Sequence, residues 1–132
     1  MKFEHFAVNV LEPTKMSDWY ENNLGLKVVK KMLQSPFMTF LADDSGTIML
    51  EIYHNPKAPV LEFTNLHPLV VHLAFVSADP KEDKERLLKA GAVLISDETL
   101  EDGSNLVMLK DPWGLSLQSC KRSVPLLRNT EI

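Results

Sequence analysis

Hydrophobic and polar residues alternate along short segments of the chain, which is the pattern of strands with one buried face. Residues 3–10, FEHFAVNV, show it well: His5 and Ala7 fall on one face, Phe6 and Val8 on the other. Seven further segments have strand character and are bounded by turn residues: 26–32, 37–43, 47–53, 69–76, 93–100, 105–110 and 115–120. The pattern therefore predicts eight short strands.

Two other segments carry the spacing of an amphipathic helix. Residues 14–23, TKMSDWYENN, place Met16 and Tyr20 on one stripe after a proline that suits a first helical turn. Residues 80–91 likewise begin with a proline and end with a glycine. The predicted order is strand, helix and three strands, then a proline-containing linker, then the same order again. This order predicts an α+β fold of two tandem βαβββ modules.

The two halves also match in sequence when one is shifted by 67 residues. The identities fall at equivalent points of the predicted elements: His5 and His72, Ala7 and Ala74, Pro13 and Pro80, Asp44 and Asp111, Leu50 and Leu117. An ungapped overlay is expected from these matches, and it indicates an internal duplication. Module 1 is predicted at about 2–54, the linker at about 55–67, module 2 at about 68–122, and a C-terminal tail at 123–132.

Composition narrows the class of protein. The chain has 132 residues, 45% of them hydrophobic, which suits one globular domain. A net charge of −4 gives no basic face for nucleic acid. No apolar run approaches the ~20 residues of a membrane span, and the N-terminus lacks the apolar core of a signal peptide. A single cysteine, Cys120, forms no internal disulfide, so a cytoplasmic location is expected.

The 67-residue shift brings four side chains with metal-binding atoms into equivalent positions. His5 and His72 lie on the first strand of their modules, and Glu51 and Gln118 lie on the last. Two imidazoles, a carboxylate and an amide oxygen suit one divalent ion, whether Zn, Ni, Co, Mn or Fe. The alternative is structural: a histidine on a strand is often a hydrogen-bonded core residue, and Glu51 on a solvated face needs no metal. Their shared offset favours the metal site.

Other candidate residues give weaker signals. His54 is expected at the surface beyond a strand end, and His67 is expected to be solvated in the linker. Cys120 shares the alternation of Gln118 and is expected to face the same cavity. The scattered glycines form no phosphate-binding loop, and no Ser-His-Asp or Cys-His pair follows from the spacing.

Several motifs resemble those of the vicinal oxygen chelate superfamily. They are HFAVNV and HLAFV at the module starts, WYENNLGL after the first helix, and DPWGLSLQ near the end. This superfamily includes glyoxalase I, methylmalonyl-CoA epimerase, extradiol dioxygenases, fosfomycin-resistance thiol transferases and bleomycin-binding proteins. The resemblance covers about residues 2–122 as a single domain. It implies a curved mixed-sheet cleft lined by both modules.

The resemblance also implies roles for individual residues. His5, Glu51 and His72 match the metal ligands of the family, and Gln118 falls where most active members carry a glutamate. In length and ligand spacing the chain is most similar to short glyoxalase I-type proteins. In those proteins the glutamate at the last position is both ligand and proton-transferring base. A glutamine cannot take a proton near pH 7, so the catalytic base is expected to be Glu51.

Two functions follow from the resemblance. The first is a glyoxalase-like, metal-dependent lyase or isomerase that moves a proton through a metal-bound enediolate of a small substrate with vicinal oxygens. A dioxygenase is the less favoured enzyme class. The alternative is a non-catalytic small-molecule or antibiotic-binding protein of the bleomycin-resistance type. The expected partners are a small molecule and a second copy of the chain in a homodimer, with no nucleic acid and no membrane.

Overall fold

The computed structural model describes residues 1–127 and divides the chain into two compact units. Unit 1 is Met1–Glu62, and unit 2 begins at Phe63, inside the predicted linker. Unit 1 contains β1 (His5–Asn9), α1 (Pro13–Leu24), β2 (Lys27–Lys31), β3 (Thr39–Ala42) and β4 (Met49–Tyr53). Unit 2 contains β5 (His72–Val76), α2 (Pro80–Lys89), β6 (Val93–Thr99), β7 (Asn105–Lys110) and β8 (Ser116–Lys121). Residues 128–132 of the predicted tail lie outside the described residues.

Each unit forms one mixed four-stranded sheet. The strand orders are β1-β4-β3-β2 in unit 1 and β5-β8-β7-β6 in unit 2. The first and last strands of each unit pair in parallel, and the other pairs are antiparallel. The prediction of an α+β fold built from two βαβββ modules is therefore confirmed. No helix within residues 1–127 is long and apolar enough to cross a membrane.

The repeat is more regular in some strands than in others. His5 pairs with Met49 and His72 with Ser116, so an offset of 67 holds for the parallel strands. The bulge at Val28/Lys30 recurs at Leu94/Ser96, an offset of 66 for β2 and β6. Phe40 faces Glu51 as Met108 faces Gln118, an offset of 68 for β3 and β7. The expected ungapped overlay is therefore wrong for these strands, because the loops absorbed small length changes.

Each helix packs on one face of its sheet, which leaves the other face for a site. In unit 1 the buried face includes Val8 and Ile52, and the helix contributes Met16 and Tyr20, all at most 5% exposed. His5 and Glu51 alternate with the buried strand residues and so lie on the opposite face. In unit 2, Leu87 of the helix is buried with the strand residues Val107, Leu109 and Leu117. Both predicted ligand pairs therefore face away from the helices.

The first part of the linker is fastened to unit 1 by one side chain. The side-chain amide nitrogen of Asn9 donates to the backbone carbonyls of Asn55, Ala58 and Pro59 at 3.0–3.1 Å. The side-chain oxygen of Asn9 accepts a hydrogen bond from the Asn55 backbone amide at 2.6 Å. The backbone carbonyl of Asn9 accepts one from the Leu61 backbone amide at 2.9 Å. These bonds hold residues 55–61 beside β1.

The second part of the linker is fastened to unit 2. The Lys110 ammonium donates to the carbonyls of Thr64 at 3.4 Å and Leu66 at 3.0 Å. A Cβ on Gly114 would meet the Thr64 Cα at 3.0 Å, so the turn before β8 approaches this backbone as closely as a glycine permits. The linker is consequently held to its own unit on either side of residue 62.

Candidate metal and ligand site

The first predicted ligand pair lies on neighbouring parallel strands of unit 1. His5 is on β1, and Glu51 is opposite Ala7 on β4, so the two side chains share one face two residues apart. His5 Nε2 lies 3.4 Å from Glu51 Oε1. The Phe40 ring contacts the His5 ring edge to face, with centroids 5.3 Å apart. The strand register therefore brings an imidazole and a carboxylate together.

A second carboxylate fixes the tautomer of His5. Its Nδ1 lies 2.8 Å from Glu4 Oε1, and a carboxylate can only accept. The neutral ring therefore carries its proton on Nδ1, and the lone pair remains on Nε2, the nitrogen beside Glu51. Metal-binding histidines in proteins are commonly oriented by such an outer carboxylate. This role of Glu4 was not predicted, because nothing in the alternation of residues 3–10 singles out its side chain.

The second predicted pair has the equivalent placement in unit 2. His72 is opposite Ser116, and Gln118 is opposite Ala74 on the adjacent strand. His72 Nδ1 lies 2.9 Å from the Pro68 carbonyl, which can only accept. His72 therefore also keeps its lone pair on Nε2 when neutral. The two histidines reach the same tautomer through different acceptors.

Gln118 contacts Cys120, two residues away on β8. Cys120 is buried and does not line the cavity to which Gln118 contributes, so the expectation that it faces that cavity is wrong. The Cys120 thiol donates a weak hydrogen bond to Gln118 Oε1 at 3.3 Å. Burial raises the pKa of the Cys120 thiol, despite an opposing effect of the charge on Arg122. The thiol therefore stays protonated near neutral pH and remains a donor. The amide oxygen of Gln118 keeps a second lone pair.

The donor atoms of unit 1 fit a divalent metal. Two ligands about 2.0–2.2 Å from one tetrahedral ion lie roughly 3.3–3.6 Å apart. The separation of His5 Nε2 and Glu51 Oε1 is 3.4 Å. Within residues 1–127, no group of three or more His, Cys, Asp or Glu side chains is placed to hold a metal ion. Each unit supplies half of the predicted ligand set, and binding of one ion by all four side chains stays a prediction.

A cavity of about 330 Å³ surrounds Gln118 in unit 2. Its wall is mainly apolar, with Leu69, Ile95, Leu106 and Met108. The cavity lies on the sheet face opposite α2, because Met108 is the cross-strand neighbour of Gln118. Unit 2 therefore carries a recess suited to a small molecule beside a predicted ligand.

Two ionisable residues of this cavity, His67 and Glu98, were not predicted from the sequence. His67 is exposed, but the turn after Pro68 brings it into the same wall as Gln118. Glu98 is two residues beyond Ser96 on β6, so both share the cavity face. Counting the alternation across β6, β7 and β8 together could have found Glu98. The place of His67 depends on how the linker folds back, which the local sequence does not specify.

His54 differs from the predicted ligands. Its Nδ1 lies 2.8 Å from the Val10 carbonyl, and the residue is half-buried beyond the end of β4. It contributes to a separate cavity of about 370 Å³ with Pro13, Lys15 and Phe37 at the start of α1. None of the four predicted ligands lines that cavity.

Solved structures with this fold include binding proteins and enzymes. TnmS3, an antibiotic binding protein from Streptomyces sp. CB03234, is 18% identical with a TM-score of 0.72, covering 93% of this chain and 97% of that one. A glyoxalase-related enzyme from Fulvimarina pelagi is 15% identical with a TM-score of 0.71, covering 94% and 90%. Lactoylglutathione lyase from Agrobacterium tumefaciens is 20% identical with a TM-score of 0.62, covering 89% and 91%. At these identities the likeness shows the fold alone.

Sequence comparison gives the family. No curated protein matches the chain significantly. The model of the Glyoxalase/Bleomycin resistance protein/Dioxygenase superfamily matches residues 2–118, nearly the whole chain. The resemblance drawn from the motifs is thereby confirmed, and the chain belongs to the Glyoxalase/Bleomycin resistance protein/Dioxygenase superfamily.

Proposed function

We propose that the protein is a metal-dependent, glyoxalase-like enzyme that moves a proton between adjacent carbons of a small substrate with neighbouring oxygens. The observation that carries the proposal is the state of the two predicted histidines. In each, Nδ1 lies within hydrogen-bond distance of an oxygen acceptor, which places the lone pair of a neutral ring on Nε2, and His5 Nε2 lies 3.4 Å from a carboxylate. Metal-binding histidines in proteins are commonly oriented by such an acceptor on the other ring nitrogen, and the carboxylate beside His5 Nε2 adds a second donor atom.

The proposed ligands are His5, Glu51, His72 and Gln118. A divalent ion bound by them supplies Lewis-acid stabilisation of negative charge on the substrate oxygens. Glu51 is the only carboxylate among the four proposed ligands, and its side chain is 17% exposed. We assign it the transfer between carbons: its carboxylate takes the proton from one substrate carbon and returns it to the neighbouring carbon. The hydroxyl proton passes from one substrate oxygen to the other, so the hydroxyl and carbonyl groups exchange places. Glu4 acts through His5 as a positioning residue.

Metal binding tests the ligand assignment directly. Protein purified without chelator is expected to contain close to one equivalent of a divalent ion per chain by elemental analysis. His5→Gln and His72→Gln are expected to lose it, and Glu4→Ala is expected to weaken metal affinity by about 10- to 100-fold. His54→Gln is the matched control, because His54 holds the same tautomer against a carbonyl outside the proposed set. Equal metal content in all four variants would exclude the assignment.

Activity tests the role of Glu51. The adduct that methylglyoxal forms with glutathione is the test substrate. It is expected to isomerise slowly when supplied to Ni- or Zn-loaded protein. Gln118→Glu is expected to raise the rate, because a positioned acid-base group typically contributes about 10²- to 10⁴-fold. Glu51→Gln is expected to abolish turnover, with metal content measured alongside the rate. A Glu51→Gln variant with full metal and full turnover would place the base elsewhere.

A second candidate function is sequestration of a small molecule without turnover. The observation that favours it is the cavity around Gln118, where the amide stands in place of a carboxylate and accepts from a thiol. This function would be supported if the native chain binds metal and ligand but shows no turnover, and if the Gln118→Glu variant shows none either. The homodimer and the cytoplasmic location stay predictions.

A further inference from the structure

The cavity in unit 2 has a polar pattern that selects among small molecules. Its lining includes one carboxylate, Glu98, and no Lys or Arg. The exposed Glu98 side chain makes no hydrogen bond or ion pair within residues 1–127, and the Asn105 side-chain amide donates to the Glu98 backbone carbonyl. A free carboxylate at the wall of an apolar recess attracts a cationic or hydrogen-bond-donating group.

The cations near this face do not oppose that preference. Lys110 lies on the same sheet face, one alternation from Met108, but its ammonium donates to the carbonyls of Thr64 and Leu66. Arg122 continues the alternation of Gln118 and Cys120 beyond the end of β8 and is not part of the cavity lining. In the metal-free protein the cavity lining therefore includes one carboxylate and no Lys or Arg.

His67 supplies a donor to the same cavity. The Leu69 amide lies 3.1 Å from His67 Nδ1, and an amide N–H can only donate. Nδ1 of the neutral ring is therefore the acceptor, and the ring proton lies on Nε2. Taking a second proton at Nδ1 would break the bond from Leu69. His67 is accordingly suited to donate to a ligand oxygen rather than to act as a base.

We infer that this cavity binds the apolar body of a molecule that carries a cationic or amine group against Glu98 and a carbonyl oxygen against His67. The inference rests on the proposed function only in placing the ligand beside Gln118. In the metal-free protein it disfavours anionic ligands, because the cavity lining includes no Lys or Arg to pair with them. Glu98 is the specificity-determining residue, and His67 orients the carbonyl.

Three matched ketones test the ligand class. They are 4-(aminomethyl)acetophenone, 4-(hydroxymethyl)acetophenone and 4-acetylbenzoate, which differ mainly in the charge at one end. Binding is measured by calorimetry to metal-free, full-length protein, so that the result does not depend on the metal. The amine is expected to bind about three- to tenfold more tightly than the alcohol, as for a partly exposed charge pair, and the carboxylate is expected to bind least. Chemical shift changes at the Gln118 side-chain amide locate the binding.

Variants separate the two contacts. Glu98→Gln is expected to remove the preference for the amine while leaving the alcohol unchanged. Glu101→Gln is the matched control, because Glu101 is an exposed turn residue outside the cavity lining. His67→Phe is expected to weaken all three ketones by a similar factor, since all share the carbonyl.

The outcomes are distinct from those of the metal experiment. Binding that does not rank by charge, binding that survives Glu98→Gln with its ranking intact, or no binding of any probe would overturn the inference. None of these results bears on metal content or turnover. Loss of the metal assignment, conversely, leaves the ranking of the three ketones as the test of the cavity.

Discussion

The helix of each unit meets its sheet at three equivalent positions, which are apolar in unit 1 and polar in unit 2. They are Val10, Met16 and Ile52 in unit 1 and, 67 residues later, Ser77, Asp83 and Ser119 in unit 2. The three apolar residues are at most 3% exposed. In unit 2, Asp83 accepts hydrogen bonds from Ser77 Oγ at 2.5 Å and from Ser119 Oγ at 2.8 Å. One position in the fold is thus stabilised by two kinds of chemistry.

The polar version depends on all of its members. Burial raises the pKa of Asp83, but hydrogen bonds from Ser77, Ser119 and Arg86 together outweigh burial and leave the pKa lowered. Asp83 therefore stays ionised in the folded unit and needs its donors. The apolar version requires only volume and shape. The comparison indicates that the three positions must change from apolar to polar together. A single carboxylate among apolar residues would lack the hydroxyl donors that Ser77 and Ser119 supply in unit 2.

Moving the carboxylate alone into unit 1 is the most severe test. Met16→Asp places a charge among buried apolar residues that lack the two serines of unit 2, and we expect a loss of about 3–5 kcal/mol in the free energy of unfolding. Urea unfolding measures it. The control Met16→Leu is expected to cost less than about 1.5 kcal/mol. Equal stability of the two variants would show that unit 1 supplies donors at this position after all.

Removing the carboxylate from unit 2 is the second test. Asp83→Ala leaves the hydroxyls of Ser77 and Ser119 without their acceptor, and we expect a loss of about 1–3 kcal/mol. The triple variant Ser77→Val, Asp83→Met and Ser119→Ile imports the unit 1 set. It is expected to recover part of that stability, because Ser77 and Asp83 are only half-buried and an apolar side chain gains less there than in the core. A triple variant less stable than Asp83→Ala would contradict the equivalence of the two sets.

The pH dependence of stability tests the contribution of the Asp83 carboxylate. The folded pKa of Asp83 is lowered from its ordinary value of 3.8, so its contribution to stability is complete above that value and is lost as pH falls through the folded pKa. The stability difference between the native chain and Asp83→Asn is therefore expected to be constant above about pH 5 and to shrink below pH 4. Asp97 shifts in the same direction, chiefly through the hydrogen bond from Lys84, but it is common to both proteins and cancels. A difference that grows on acidification would reverse the sign argued for Asp83.

The smallest expected effect concerns an ion pair between helix and strand that occurs in both units with the two charges reversed. Asp18 of α1 lies 3.5 Å from Lys31 of β2, whereas Lys84 of α2 lies 2.6 Å from Asp97 of β6. Lys31 and Asp97 are equivalent strand positions at the offset of 66. Lys84→Asp is expected to cost about 0.5–1 kcal/mol, and adding Asp97→Lys is expected to restore it. Thermal unfolding of the single and double variants measures the coupling, and no recovery in the double variant would show that position, not charge, matters.

The sequence predicted the elements well because their signals are local. The alternation around His5 and the stripe through Met16 and Tyr20 correspond to β1 and α1. The strand register was accessible for the predicted ligands, since the offset of 67 holds for the strands that carry them. It failed for β2 and β3 because length changes in loops leave no trace in strand periodicity. Glu4 and His67 were missed because their roles arise from single contacts that no residue pattern encodes.

The linker has a practical consequence for dividing this protein. Its prolines make it look like the natural place to insert a protease site or a reporter, but Asn9 holds its first part and Lys110 and Gly114 border its second. Cutting there would release segments that cover the ends of β1 and β7. The exposed turn at Ser45 and Gly46, between β3 and β4, does not hold the linker against either unit. An insertion at this turn is therefore better tolerated than one at the boundary between the two halves of the chain.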